Sequence, residues 1–282
     1  MPVLHCIFSG CQIVMIKIVG FILILSLLVW ARKSTPAGNK NGTTFNQLSE
    51  LASSKSTLNV ATFNIQTGKS NEGKRDINAS AQVLKNVDLA GVQEVYAPSL
   101  LNLIGVGKQQ TEVLADRGGF GWLFNATRRR WLREHRGNAL LSKLKPTAWE
   151  TQMLPDQSGK SYRNMTIAEL EWQGQTFHFI NTHLHTRQGR SEQLSIVLRE
   201  FAKYPRAILV GDFNSSVTMP EMIEALKDIE VTDAIHHAGL DKENTERIDW
   251  ILTKGFVVHS GKMQEKGVSD HPYYEVELSY QT

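Results

Sequence analysis

Cysteine is almost missing from this chain. Its only two, Cys6 and Cys11, lie within the first eleven residues, so no disulfide can hold the rest together. An excess of charge of one sign is missing as well. Lys and Arg total 31 against 28 Asp and Glu, a formal net charge of +3, which by itself argues for no polyanionic partner. There is no internal repeat of solenoid period. The longest apolar run, Ile18 to Ala31, is interrupted only by Gly20 and Ser26. It is shorter than the roughly 20 residues of a membrane span. No cysteine follows it, which excludes a lipoprotein attachment site.

What is present at the N-terminus fits an export signal. Lys17 precedes the apolar run, and Val29-Trp30-Ala31 offers small residues at the −3 and −1 positions of a cleavage site. Met15 is then a plausible true start. The expectation is a mature protein beginning after Ala31, periplasmic or secreted. The alternatives are an uncleaved anchor in the inner membrane through residues 16–31, extended by Ile13 to Ile16, and a cytosolic product. Arg32 and Lys33 oppose export of an anchored chain. Residues 32–56, rich in Ser, Thr, Gly, Asn and Lys, read as a flexible linker. Residues 57–282 are long enough for one large α/β domain, expected as a monomer.

Within that domain the apolar runs predict strands at Leu58–Phe63, Asp88–Val95, Ala139–Leu141, Met165–Trp172, Thr176–Thr182, Ala207–Val210, Ile248–Leu252, Phe256–Val258 and Tyr273–Leu278. Gly174 predicts a hairpin turn. Helices are predicted over Asn78–Asn86, Glu112–Arg117 (stopped by Gly118-Gly119), Ser191–Tyr204 with Ser191 as N-cap, and Pro220–Leu226. Many strands and few helices suggest an α/β fold of two sheets packed face to face with helices outside.

Polar residues recur where these strands end. Asn64 closes Ala-Thr-Phe-Asn, Glu94 follows Gly-Val-Gln, and His183 ends Ile-Asn-Thr-His. Asp212 and Asn214 stand in Gly-Asp-Phe-Asn, Asp249 in Arg-Ile-Asp-Trp, and Asp270-His271 in Gly-Val-Ser-Asp-His-Pro. Strand ends on one edge of a sheet are where an α/β enzyme gathers its chemistry. A carboxylate at the end of an apolar strand must find a cation or stay wet. Hard oxygen donors suit Mg2+, with Mn2+ or Ca2+ as replacements. Taken together, these groups describe an acidic metal site with two histidines.

Their order, Asn, Glu, His, Asp-x-Asn, Asp, Asp-His, resembles the endonuclease/exonuclease/phosphatase superfamily over Leu58 to Leu278, as a bacterial member. The resemblance implies a four-layer α/β/β/α sandwich with mostly antiparallel sheets. It also implies a metal-dependent phosphoesterase. Asn64, Glu94 and Asp270 would hold the metal. His271, oriented by Asp249, would be the base that takes a proton from water, and His183 the acid near the leaving oxygen. Asp212 and Asn214 would orient the nucleophile and the phosphoryl oxygens, with Asp212's role open between nucleophile and leaving group. Arg163 stands where relatives often carry a phosphate-binding arginine. Asn138 is placed to line the site.

The most basic stretch runs from Arg128, Arg129 and Arg130 through Trp131 and Arg133 to Arg136. It reads as a loop that neutralises substrate phosphates or meets anionic lipid headgroups, or else as a solvated face. His183-Leu-His185 has the spacing of a zinc pair, but Thr186-Arg187 follows where zinc hydrolases need Asp-His. His236-His237 reads as surface. The substrate expected is nucleic acid. The alternatives are a phospholipid or phosphoinositide, and a catalytically silent binding module.

Overall fold

A computed structural model of the chain describes residues 3–31, 33–46, 55–99, 108–131, 133–159, 161–241 and 246–281. In chain order the elements are α1 Val3–Ala31, β1 Thr35–Pro36, β2 Lys40–Gly42, β3 Leu58–Asn64, α2 Ile77–Val83, β4 Leu89–Ala97 and α3 Gln110–Gly118. There follow β5 Gly121–Arg129, β6 His135–Ser142, β7 Pro146–Leu154, β8 Arg163–Trp172, β9 Gln175–His183, α4 Arg190–Ala202 and β10 Ala207–Asp212. The chain ends with α5 Pro220–Ala225, β11 Thr232–Asp233, α6 Ala234–His237, β12 Asp249–Lys254, β13 Phe256–Gln264 and β14 Tyr273–Tyr280.

The strands form two seven-stranded sheets, ordered β1-β5-β6-β4-β3-β14-β13 and β11-β12-β10-β9-β8-β7-β2. The pairs β3/β4 and β9/β10 are parallel and the other ladders antiparallel. Period-two alternation decides what each face buries. On β3 Val60, and on β10 Ile208 and Val210, point into the layer between the sheets, with Leu89, Phe177, Phe179 and Ile251. The alternate residues Ala61 and Phe63 pack outward beneath α2 and α3, with Leu84 and Leu114. Leu209 and Leu252 pack outward beneath α4 and α5, with Leu194, Val197 and Met222. Four layers result, α/β/β/α. At about 25 cal/mol per Å2, burial of this much apolar surface is the main favourable term.

Glycine permits the sheets' closest approach. A Cβ on Gly91 of β4 would lie 2.3 Å from Val210 Cγ2 and 2.7 Å from Asn181 Oδ1 on the facing sheet.

Several expectations are corrected. Residues 33–46 are not a free linker. β1 pairs with β5, β2 pairs with β7, and Phe45 enters the inter-sheet core. Residues 47–54 lie outside the described residues. Ser191 does not cap α4: Gly189 occupies the N-cap and the Ser191 hydroxyl donates to Glu221. The basic stretch is not a loop throughout, since Arg128 and Arg129 end β5 and Arg136 belongs to β6. The apolar segment is part of a 29-residue helix that continues through Lys17. Among the described residues no helix is long and apolar enough to cross a membrane. The side chains described without a break on α1 cover residues 14–30.

Candidate active site

Alternation carries the inward face of four strands past the end of the apolar core. On β10 the inward series runs Ile208, Val210, Asp212. On β9 it runs Phe177, Phe179, Asn181, His183. On β12, Ile251 and Asp249 share the inward face, and on β3 Val60, Thr62 and Asn64 do. Register then aligns the polar ends. Asp212 pairs with His183 on one side and with Asp249 on the other. Registered neighbours face the same way, so His183, Asp212 and Asp249 form one row across three strands. Gly211, at φ 148°, lets β10 lie against β9 here; a Cβ would meet Thr182 O at 2.0 Å.

Asp212 is the hub of the row. Its Oδ2 accepts from Asn64 Nδ2 at 3.0 Å and lies 3.4 Å from His183 Nε2 and 3.6 Å from His271 Nε2. Its Oδ1 accepts from the Asn214 backbone N–H at 2.9 Å. Asn214, at φ 50°, donates its amide to Leu184 O, and Arg190 donates to Asn214 O. His271 Nδ1 and Asp249 Oδ2 are 2.8 Å apart. Asp249 Oδ1 is buried with no hydrogen-bond partner among the described residues. Buried Arg247 anchors this strand end by donating to the Asp249 carbonyl at 2.8 Å.

The first sheet brings Asn64, Glu94 and Asp270. Asp270 Oδ2 accepts from Gln66 Nε2 at 2.8 Å, and Ser269 Oγ donates to Asn64 O at 2.6 Å. Glu94 sits at φ 58° in a β-bulge of β4. Strict alternation would send its side chain the opposite way from Gln93. The bulge re-aims it, and its carboxylate pairs with Arg136. A left-handed non-glycine residue is a local cost of about 1–3 kcal/mol, of the kind that collects at functional sites.

Charge is unevenly placed. Burial first, then the Asp249 charge, pushes the Asp212 carboxyl up to about 7. Burial opposes a proton on His271, but the bond to Asp249 and the charges of Asp249, Asp212 and Asp270 outweigh it and raise His271 to about 9. Burial, then Arg163 and Arg136, holds His183 well below the usual histidine range. Arg163 is pushed down to about 10 by burial and by Arg136.

Asp212, Asp249 and His271 offer donor atoms within 4.8 Å of one another. That cluster differs from the metal set Asn64, Glu94 and Asp270, of which Glu94 here holds a guanidinium. The excess buried negative charge and the orphaned Asp249 oxygen nevertheless fit a hard divalent cation at this centre. Asn138 lies deeper, donating to Asn164 Oδ1 at 3.0 Å in an amide layer between the sheets. Gln93 and Asn181 continue that layer, bonded to each other at 2.8 Å. Sequence reasoning missed Gln66, Gln93, Asn164 and Asn181. The available signal for Gln93 and Asn181 was their even spacing along strands whose other inward residues are apolar. His185 accepts from Arg187 N, and exposed His236 on α6 faces Asp241.

No curated protein sequence matches the chain significantly. Solved structures do share its fold. An endonuclease/exonuclease/phosphatase from Beutenbergia cavernae superposes with TM-score 0.67 at 19% identity, covering 80% of this chain and 72% of that one. D. rerio TDP2 complexed with single strand DNA product gives 0.58 at 16%, covering 80% and 100%. The Bacteroides thetaiotaomicron mannosyl-6-phosphatase Bt3783 gives 0.61 at 18%, covering 79% and 100%. The model of the Endonuclease/Exonuclease/phosphatase family matches residues 61–271, a span that holds every strand-end group of the site. By that match the chain belongs to the endonuclease/exonuclease/phosphatase family.

Proposed function

We propose that the protein hydrolyses phosphate esters by attack of water, with a divalent metal as cofactor. The observation that carries this reading is the row in which Asp212 lies between two imidazoles while Asp249 holds one of them by Nδ1. Asp249 fixes the His271 tautomer with Nε2 turned to the site, as a base needs. His183, 3.4 Å from Asp212 Oδ2, would assist the leaving oxygen as general acid, with the role of Asp212 open between orienting the nucleophile and helping the leaving group. Asn64 and Asn214 hold Asp212 by its two oxygens, and Arg163 answers phosphoryl charge. Asn64, Glu94 and Asp270 would hold the metal, with Mg2+ the first choice and Mn2+ or Ca2+ possible replacements. When bound, a divalent cation supplies Lewis-acid charge to the phosphoryl oxygens and opposes the upward pull on His271.

For substrate we favour a phosphodiester of nucleic acid, on the guanidinium groups that the β5–β6 hairpin brings to the site. A lipid headgroup is the second reading. It is favoured by Trp30, at the end of α1, whose ring lies 5.2 Å from that of Trp131 on the same hairpin. We place the protein outside the cytoplasm, secreted, periplasmic or held at the inner membrane by α1. The test is turnover of bis(p-nitrophenyl) phosphate with Mg2+ and with chelator, then parallel assays on plasmid DNA and phospholipid vesicles. Full turnover in excess chelator overturns the metal-dependent reading.

A further inference from the structure

The β5–β6 hairpin holds two arginines in a position that stability alone disfavours. Arg128 and Arg136 are register partners, directly opposite across the ladder. Like charges so placed destabilise an antiparallel pair. Arg163 joins them from the facing sheet. Its neighbour Asn164 donates to Ala126 O at 3.2 Å and accepts from Asn138 at 3.0 Å, so the head of β8 abuts the end of β5 and β6. Of the three guanidinium groups, only that of Arg136 has a carboxylate partner among the described residues, Glu94. The Nε atoms of Arg128 and Arg163 are buried with no hydrogen-bond partner among the described residues. A buried cation without a partner is costly. The unpartnered Nε atoms of Arg128 and Arg163 leave donors for an anion.

The rest of the basic stretch has other neighbours. Arg129 is exposed on the other face, near Lys40 and His135. Arg130 turns to Ser34, donating to its hydroxyl at 3.3 Å. Arg130 stays within electrostatic reach of Arg128 and Arg136, but its Nε is engaged by Ser34. Arg128, Arg136 and Arg163 are each half-buried. Arg163 links the other two to the catalytic row, within electrostatic reach of both Glu94 and Asp212.

We propose that Arg128 and Arg136, with Arg163 shared between them and the scissile site, form a second phosphate subsite beside the scissile one, which takes a terminal phosphate monoester carried by the same substrate. The proposal rests on the phosphoesterase reading and narrows its substrate class. A dianionic monoester matches the uncompensated charge, and guanidinium forks suit its oxygens. The protein then selects substrates phosphorylated at a second position near the bond it cuts.

The test uses the full chain with Mg2+ and two esters with the same scissile bond: thymidine 5′-(p-nitrophenyl phosphate) with a free 3′-hydroxyl, and the same ester carrying a 3′-phosphate. The wild type should show a KM lower by about tenfold for the 3′-phosphate ester, equivalent to about 1.4 kcal/mol. Arg128→Gln should bring the ratio of the two KM values close to one. Arg128→Lys, which keeps the charge and loses the fork, should restore only part of it. Thermal melts show that both variants are folded. Equal KM values in the wild type overturn the subsite. The same advantage for a 3′-(methyl phosphate) diester overturns it in favour of a surface that tracks a strand. If neither ester is hydrolysed, the phosphoesterase reading fails. The subsite is then judged by calorimetric titration with inorganic phosphate: heat in the wild type that is lost in Arg128→Gln supports it, and no heat in the wild type overturns it.

Discussion

A proton on His271 is held in place by Asp249, Asp212 and Asp270 in the folded protein only. Its folded value, about 9, exceeds the ordinary 6.5. The stabilisation is therefore complete below about pH 6.5 and is lost as pH rises through about 9, because the folded state binds more protons there. The metal-free protein should melt at lower temperature at pH 9.5 than at pH 6.5, by an amount equivalent to at most about 3 kcal/mol. Asp249→Asn should flatten that slope and, with metal present, cost about 10²-fold in kcat; an unchanged slope would separate His271 from Asp249. Glu94→Gln should lower turnover on the order of 10²-fold while circular dichroism stays native. At this scale the strand-end residues were legible because each breaks an apolar run. The Arg136–Glu94 pair was not, since it joins residues on separate strands.

At the scale of elements, the strands whose two faces are both covered were the legible ones. β3, β4, β9, β10 and β12 each carry an apolar inward series and are buried along most of their length. β5 and β7 were not read as strands. β7 starts at a proline and has one largely exposed face, and β5 ends in arginine. Such sequences carry little apolar signal, and pairing with neighbours makes them strands. Residues 33–46 were misread because a polar composition looks like a linker even when it supplies edge strands. Phe45, only 6% exposed, is the exception that ties them to the core. Phe45→Ala should cost about 3 kcal/mol or more, measured by urea denaturation; a change near zero would return the segment to a linker. Gly91→Ala should cost about 1–3 kcal/mol, since the new methyl group meets the facing sheet.

At the scale of the molecule, a mild net charge hides strong local separation: acidic groups at the row, guanidinium groups at the hairpin, and a helix with no acidic residue in its sequence. The large apolar side chains described on α1 are between 46% and 71% exposed. So much apolar surface marks an interaction face, and lipid is the partner we propose. The full chain should sediment with phosphatidylglycerol vesicles and the chain begun at Ser34 should not; equal partition of both would remove α1 from any membrane role. The short strands β1 and β2 have a different consequence. Each covers the outer side of a nine-residue strand, β5 in one sheet and β7 in the other. An unpaired strand edge is a template for pairing with another copy. One proteolytic cut between β2 and Phe45 would loosen the cover on both sheets together, so nicked protein should self-associate into fibrillar aggregates while intact protein stays dispersed.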